Sequence, residues 1–212
     1  MLKYSPANAK TEALKEVDEL KPFLADKRKI YSLDLLSGYS CPFAEKCLSK
    51  ATVDNETGKR KIKDGPKTEF RCFSASQEAL LPNVYKRRKH NYDTLKDLHL
   101  NDMIHRLNQD KPKDLGILRF HVGGDFFNSD YFFAALNLAM INPDKLFYAY
   151  TKSLKYWVKY REWADNIDNF ILTASRGGRD DSLIDSEGLR ETVVVFSEAE
   201  AEEKGLEIDH DD

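Results

Sequence analysis

The chain has 212 residues, of which 41% are hydrophobic and 33% are charged, and its formal net charge is −3. No apolar run approaches the roughly 20 residues that a membrane-spanning helix requires, and three cysteines cannot close into a disulfide framework. The first ten residues lack the apolar stretch of a secretory signal, so we expect a cytoplasmic protein with reduced thiols and no membrane partner.

The small net charge hides an uneven distribution of charged residues. Residues 50–90 carry 11 Lys and Arg against 5 Asp and Glu, whereas residues 198–212 carry 1 against 8. The basic region includes KRRKH at residues 86–90, a pattern typical of surfaces that contact a polyanion. A nucleotide or nucleic acid is therefore a predicted partner, and an ordinary solvated face is the alternative.

The first half of the chain predicts a helix, a strand and a long insertion. Residues 11–27 have the apolar spacing of an amphipathic helix, and residues 29–36 read KIYSLDLL, which is typical of a buried strand. Residues 38–114 form a basic, cysteine-bearing insertion between this strand and the next. Within the insertion we expect a polar turn and two helices, at residues 55–67, 76–89 and 94–109.

The second half of the chain alternates strands with helices. Four apolar runs predict buried strands, at residues 116–122, 145–151, 169–175 and 192–197. Segments with helical spacing lie between the earlier runs, at residues 129–141 and 153–167. Such alternation is typical of βα units on a parallel sheet. We expect a single α/β domain over residues 1–212, with flanking helices and a largely parallel sheet of about five strands. A partial (β/α) barrel is favoured over a doubly wound sheet.

Chemically useful residues follow the predicted strands. Because ligands bind beyond the carboxyl ends of such strands, we expect a site built from Gly123, Gly124, Asp125, Lys152, Ser175 and Arg176. Consecutive glycines allow a ligand to approach the backbone, and with Ser175 they are the candidate cofactor-binding residues. Asp125 would bind an amine or transfer a proton, its pKa lowered by the neighbouring cations, while Lys152 and Arg176 would hold an anionic substrate. The alternative is a set of ordinary turns with surface salt bridges.

The three cysteines are the candidate metal ligands. Cys41 and Cys47 follow the first strand, and Cys72 comes 25 residues after Cys47. Three thiolates suit an iron–sulfur cluster in which one iron is not ligated by protein, or zinc with an added histidine. We expect Cys72 to converge with the other two at the carboxyl edge of the sheet. Plain burial, which is common for free cysteine, is the alternative.

Several long runs carry a family resemblance. The runs LDLLSGYSCPFAEKCLSKA, FRCFSASQEA, RFHVGGDFF, FYAYTKSL, ASRGG and VVFSEAEAEEKGLEIDHDD occur in this order between roughly residues 30 and 212. In these runs the chain resembles the bacteriophage Gene product 88 family. The resemblance implies a phage or prophage origin, hence a host-cell cytoplasm, and no assigned biochemical function. It also implies a sequence that continues beyond Asp212.

A weaker likeness is to radical S-adenosylmethionine enzymes, which have a partial (β/α) barrel. That resemblance implies an iron–sulfur cluster on Cys41, Cys47 and Cys72, with Gly123-Gly124-Asp125 holding the amino group of S-adenosylmethionine. The chain departs from the enzyme pattern at two points. Its cysteines are not spaced C-x3-C-x2-C, and Asp125 stands where a glutamate is expected.

The sequence is compatible with two functions. The first is an α/β enzyme with a cysteine-ligated iron–sulfur or other metal centre that acts on a nucleotide or nucleic acid, with S-adenosylmethionine as a candidate cofactor and zinc as the alternative metal. The second is a non-catalytic phage accessory protein that binds nucleic acid or a host protein and whose cysteines are structural.

Overall fold

A six-stranded sheet organises the protein. The computed structural model describes residues 1–208. In chain order its strands are β1 (Ser5–Pro6), β2 (Lys29–Leu33), β3 (Ser49–Val53), β4 (Arg60–Asp64), β5 (Leu115–Phe120), β6 (Leu146–Thr151), β7 (Phe170–Ser175) and β8 (Glu191–Thr192). The main sheet has the order β1-β2-β5-β6-β7-β8, with β1 antiparallel to β2 and every other pair parallel. Strands β3 and β4 form a separate antiparallel hairpin.

Helices flank the sheet. In chain order they are α1 (Ala9–Ala13), α2 (Lys21–Leu24), α3 (Phe73–Leu80), α4 (Pro82–Leu95), α5 (Leu100–Asp110), α6 (Ser129–Met140), α7 (Leu154–Lys159), α8 (Arg161–Ala164), α9 (Ser182–Glu187) and α10 (Glu198–Glu203). The side chain of Asn128 caps α6 by accepting a hydrogen bond from the backbone N–H of Tyr131 (2.8 Å), which gives one of the unpaired first-turn donors a partner. No helix among the described residues is long and apolar enough to cross a bilayer.

The two faces of the sheet are covered differently. On one face the main core joins β5, β6 and β7 to α5 and α6 through buried side chains such as Phe120, Phe147 and Phe132. On the other face a smaller cluster includes Leu14 from the N-terminal segment and Ile117 from β5. Apolar residues therefore point to both faces of the central strands, which explains why their sequences are nearly continuous apolar runs rather than alternating patterns.

The prediction of an α/β fold with a largely parallel sheet is confirmed. The strands that lie side by side in the main sheet follow their order along the chain, with no point at which that order reverses. A doubly wound sheet has such a reversal, whereas the wall of a (β/α) barrel does not. The observed order therefore agrees with part of a barrel wall.

The predicted N-terminal helix is wrong as a single element. Residues 11–27 lie in short helical pieces, including α1, α2 and three single turns of 3₁₀ helix. Asp26 and Lys27 have φ angles of 57° and 64°, which a continuing α-helix does not allow. The apolar residues of this segment still face the sheet, but they do so from several short helical turns rather than from one helix.

The predicted fifth strand is wrong for most of its length. Only Thr192 of residues 192–197 lies in a strand, where β8 pairs with the end of β7. Val194 and Phe196 are 45% and 73% exposed. Three consecutive valines favour a strand locally, but here they lie beyond the last paired residue of the sheet edge.

The predicted turn and the first predicted helix of the insertion differ from the structure. Residues expected to form one polar turn instead form the end of a hairpin, in which β3 and β4 flank a turn near Gly58. The basic sequence of β4, RKIKD, did not predict a strand, because lysine is uncommon in strands. The helix expected over residues 76–89 is two helices, α3 and α4, separated by extended Leu81 before Pro82.

Candidate functional site

One cavity at the carboxyl edge of the parallel sheet brings together most of the predicted site. Its volume is about 220 Å³, and we call it the cysteine cavity. The residues predicted from the sequence that line it are Cys41, Cys47, Cys72, Gly124, Asp125, Lys152 and Ser175. The three cysteines therefore line one cavity although Cys72 comes 25 residues after Cys47.

Backbone hydrogen bonds between loops bring the cysteines to this edge. The N–H of Lys46 donates to the carbonyl of Gly177 after β7 (3.0 Å), which ties the loop of Cys41 and Cys47 to the sheet. The N–H of Glu69 donates to the carbonyl of Lys46 (2.7 Å), and the N–H of Cys72 donates to Ser49 Oγ (3.2 Å). The returning chain is thus held against the first cysteine loop.

The Asp125 carboxylate is a buried acceptor that joins two strand ends. It accepts hydrogen bonds from Thr151 Oγ1 (2.6 Å), the N–H of Phe126 (2.7 Å) and the N–H of Lys152 (2.9 Å). Burial raises the pKa of Asp125, and these three hydrogen bonds and the Lys152 charge offset only part of that rise. The expectation of a lowered pKa was wrong, because desolvation outweighs the charge of Lys152.

The Lys152 ammonium spans the ends of β6 and β7. Its Nζ donates to Ser175 Oγ (2.7 Å), the Ser175 carbonyl (2.9 Å) and the Arg176 carbonyl (2.7 Å). The side chain is largely buried and the residue is 8% exposed. Its positive charge also favours the thiolate form of Cys47. Lys152 therefore lies where it would compensate negative charge in the cysteine cavity.

Two of the thiols are held in their neutral form. Burial raises the pKa of Cys41 well above its usual value, and the Asp125 carboxylate adds to that rise. Burial also raises the pKa of Cys47, against the opposing effect of Lys152. Weaker contributions from Cys72 raise both pKa values. Without a metal, these cysteines are poor nucleophiles at neutral pH.

Arg176 is placed differently from the other predicted residues. Its guanidinium donates to carboxylate oxygens of Asp185 and Glu191, and these hydrogen bonds raise its pKa. Two carboxylates thus hold the cation that was expected to bind an anionic substrate. Its backbone carbonyl contributes to the site by accepting a hydrogen bond from Lys152.

The two glycines before Asp125 are required by packing within the protein. A Cβ at Gly123 would lie 2.6 Å from Cζ of Arg88. Gly124 has a φ of +93°, and a Cβ there would lie 2.9 Å from the carbonyl oxygen of Leu35. The space that a side chain would need is occupied by the chain itself, although Gly124 also lines the cysteine cavity.

The cysteines of the cavity are suitable ligands for a metal, but the distances between them do not match those of a bound metal. Three thiols line one cavity, and Lys152 lies beside them as a compensating charge. Among the described residues, however, no three His, Cys, Asp or Glu side chains are close enough together to hold a metal ion. A shared centre therefore requires the sulfurs to move closer together when it binds.

The basic stretch at residues 86–90 has structural contacts. Arg88 is buried and donates to Glu78 Oε1 (3.1 Å), and Arg87 donates to Ser5 Oγ (2.9 Å). His90 Nε2 lies 2.9 Å from the carbonyl oxygen of Met1. Much of the charge in KRRKH therefore serves the fold, and a nucleic-acid partner for this stretch stays a prediction.

Several residues of the site were not among the predicted site residues, and some of them carry hydroxyl groups. Ser40 Oγ accepts a hydrogen bond from the N–H of Asp125 (3.3 Å), Thr151 donates to its carboxylate, and Tyr150 lines the cavity. Thr151 and Tyr150 immediately precede Lys152, so their position at a strand end was a usable signal. Ser40 offered no such signal, because serine is common in turns.

The sequence matches the model of a known protein family. The Gene product 88 family model matches residues 3–212. No curated protein and no solved structure matches the chain. The likeness to radical S-adenosylmethionine enzymes therefore gains no support. Because the family model covers nearly the whole sequence, the chain belongs to the Gene product 88 family.

Proposed function

We propose that the cysteine cavity holds a metal centre ligated by Cys41, Cys47 and Cys72, and that the protein is an enzyme acting on a nucleotide or nucleic acid. The observation that carries the proposal is that all three cysteines of the chain line one cavity beside a buried lysine and a buried aspartate. An iron–sulfur cluster is the favoured centre, because three protein thiolates leave one iron open, and zinc is the alternative.

The surrounding residues would prepare the cavity for an anionic centre. Lys152 would compensate the charge of the thiolates, since it already favours the thiolate form of Cys47. Asp125, with three hydrogen bonds, would fix the relative positions of the ends of β5 and β6. Phe70, which is half-buried and lines the same cavity, would limit the access of water to it.

The chemistry of the centre would come from the metal. When bound, an iron–sulfur cluster with one open iron supplies one-electron transfer and a coordination position for a small ligand. S-adenosylmethionine is one candidate for that position, because Gly124 and Asp125 line the same cavity as the cysteines. Binding requires deprotonated thiols, so it would release protons from Cys41 and Cys47.

Anaerobic purification tests the proposal. We expect a brown protein that contains iron and acid-labile sulfide, and we expect Cys41→Ser, Cys47→Ser and Cys72→Ser each to lose most of both. Glu45→Gln is the matched control, because this partly exposed carboxylate lies on the same loop and pairs with Lys67. If the protein instead contains zinc, and the cysteine variants lose it, the metal centre is zinc rather than an iron–sulfur cluster. A protein without metal, before and after reconstitution with iron and sulfide or with zinc, would contradict the proposal.

A further inference from the structure

A second cavity adjoins the cysteine cavity at the same edge of the sheet. Its volume is about 470 Å³, and we call it the basic cavity. The two cavities share four lining residues, Phe73, Val122, Tyr150 and Ser175. A molecule in the basic cavity would therefore lie against the same walls that enclose the cysteines. The volume is within the range of small-molecule sites.

The charged lining of the basic cavity is cationic. Lys10, near the start of the chain, and Arg119, on β5, line it, whereas none of the described lining residues is an Asp or Glu. Arg119 lies on the sheet face opposite the main core, with its Cζ 5.3 Å from the ring centre of Tyr150. A planar guanidinium beside an aromatic ring suits phosphate recognition, because its donors match two oxygens at once.

Polar and aromatic groups complete the lining. Ser175 and Thr192 also line the basic cavity and carry hydroxyl groups that can hydrogen-bond a ligand, and Ser175 lines the cysteine cavity as well. Phe73 follows Cys72 directly, lines both cavities and is 69% exposed. An aromatic ring left this exposed at the rim of a basic cavity is suited to stacking on a nucleobase.

We propose that the basic cavity binds a nucleotide, with its phosphate on Arg119 and Lys10 and its base against Phe73. This inference rests on the proposed function, which supplies the chemistry. It adds the class of substrate and the position of that substrate beside the cysteines. The sequence analysis did not predict a role for Lys10, Arg119 or Phe73. The sequence offers one indication of this site, which is an arginine within an apolar strand.

Binding of nucleoside monophosphates to metal-free protein tests this inference. We expect AMP, or one of GMP, CMP and UMP, to bind in isothermal titration calorimetry, with an affinity that falls as salt rises. Lys10→Ala and Arg119→Gln should each weaken binding roughly tenfold, the effect of losing one charge-assisted hydrogen bond. Phe73→Ala should weaken nucleotide binding by a similar factor through lost stacking and leave inorganic phosphate binding unchanged.

Matched controls lie on the same elements or directly next to them. Lys15→Ala removes a nearby cation that pairs with Glu12, and Leu80→Ala removes an exposed apolar side chain from α3; both should bind as the wild type does. The inference is overturned if none of the four nucleotides binds, if Lys10→Ala binds normally, or if inorganic phosphate binds as tightly as the nucleotides. A triple variant, Cys41→Ser/Cys47→Ser/Cys72→Ser, should still bind nucleotides. Loss of the metal centre can therefore be distinguished from loss of the nucleotide site.

Discussion

Asp125 stabilises the site through hydrogen bonds at its own carboxylate. Three donors converge on its two oxygens, and they come from both the β5 and the β6 strand ends. Such a group is well placed to keep the loop after β5 against Lys152. Because the acceptor oxygens are occupied by the protein, Asp125 is better described as a positioning residue than as a base.

Replacing Asp125 with asparagine should destabilise the fold. The amide puts a donor where the carboxylate accepts, so at least one buried hydrogen bond is lost, at a cost of about 1–3 kcal/mol. Urea unfolding of Asp125→Asn and of Asp168→Asn, an exposed control, measures the difference. An unchanged midpoint for Asp125→Asn would show that these hydrogen bonds contribute nothing to stability.

His121 is a buried imidazole with a left-handed backbone at the end of β5. Its φ is 68°, its Nε2 lies 3.1 Å from the hydroxyl of Tyr131, and its buried Nδ1 has no hydrogen-bond partner among the described residues. Burial lowers the pKa of His121 from 6.5 to about 3, with a smaller contribution from the Arg119 charge. The folded protein therefore keeps this ring neutral where the unfolded chain would protonate it.

That difference predicts a loss of stability at acid pH. Between pH 6.5 and about 3 the unfolded state binds up to one more proton than the folded state, so stability falls as pH drops. At pH 5 the contribution is about 2 kcal/mol. In urea unfolding at pH 7 and pH 5, His121→Asn should lose less stability over this step than the wild type or His105→Asn, since asparagine does not titrate and tolerates a positive φ. Equal losses in all three proteins would exclude this role for His121.

At the scale of elements, an ion pair joins α3 and α4 to the loop after β2. Glu78 on α3 and Arg88 on α4 are both fully or almost fully buried. Glu78 Oε1 also accepts from the N–H (3.0 Å) and hydroxyl (2.8 Å) of Ser37, and Gly123 leaves room for the Arg88 guanidinium. This network supports the loop that leads to Cys41.

Arg88→Met should be strongly destabilising. The substitution leaves the Glu78 carboxylate buried without its charge partner, which costs about 3–5 kcal/mol. Burial already raises the pKa of Glu78 against the influence of Arg88, so the variant should take up a proton there. Thermal and urea unfolding check the loss, with Lys86→Met as the exposed control on the same helix. Adding Glu78→Gln to Arg88→Met should restore part of the stability, and no restoration would argue against an uncompensated charge.

At the scale of the whole molecule, the sheet weakens toward its β8 edge. Strands β5, β6 and β7 pair on both sides, whereas β8 pairs with β7 through two residues. Residues 193–197 then continue outside the sheet. Local stability should follow this pattern, because opening a segment costs more where more hydrogen bonds and buried contacts must break.

Hydrogen exchange measured by mass spectrometry should reveal this gradient. Amides of β5 and β6 should exchange slowest, and those of residues 193–197 should exchange within the fastest group. The reason is that the central strands are buried on both faces, while Val194 and Phe196 are exposed. Protection of residues 193–197 equal to that of β7 would mean that the fifth predicted strand does form in solution.

The amino-acid sequence by itself determined the four main parallel strands, the α6 helix and the residues at the strand ends. These follow from local patterns, since buried strands need apolar runs and the ends of parallel strands share one edge. The same patterns were enough to predict that Asp125, Lys152 and Ser175 lie near the cysteines.

Tertiary structure alone decided which of these residues face the cavity and what each one contacts. The sequence could not show that Arg176 pairs with two carboxylates, that Gly123 makes room for Arg88, or that burial raises the pKa of Asp125. It also could not place Lys10 and Arg119, 109 positions apart along the chain, in one cavity. The physical reason is that desolvation and side-chain pairing depend on neighbours brought together by long-range folding, which local periodicity does not encode.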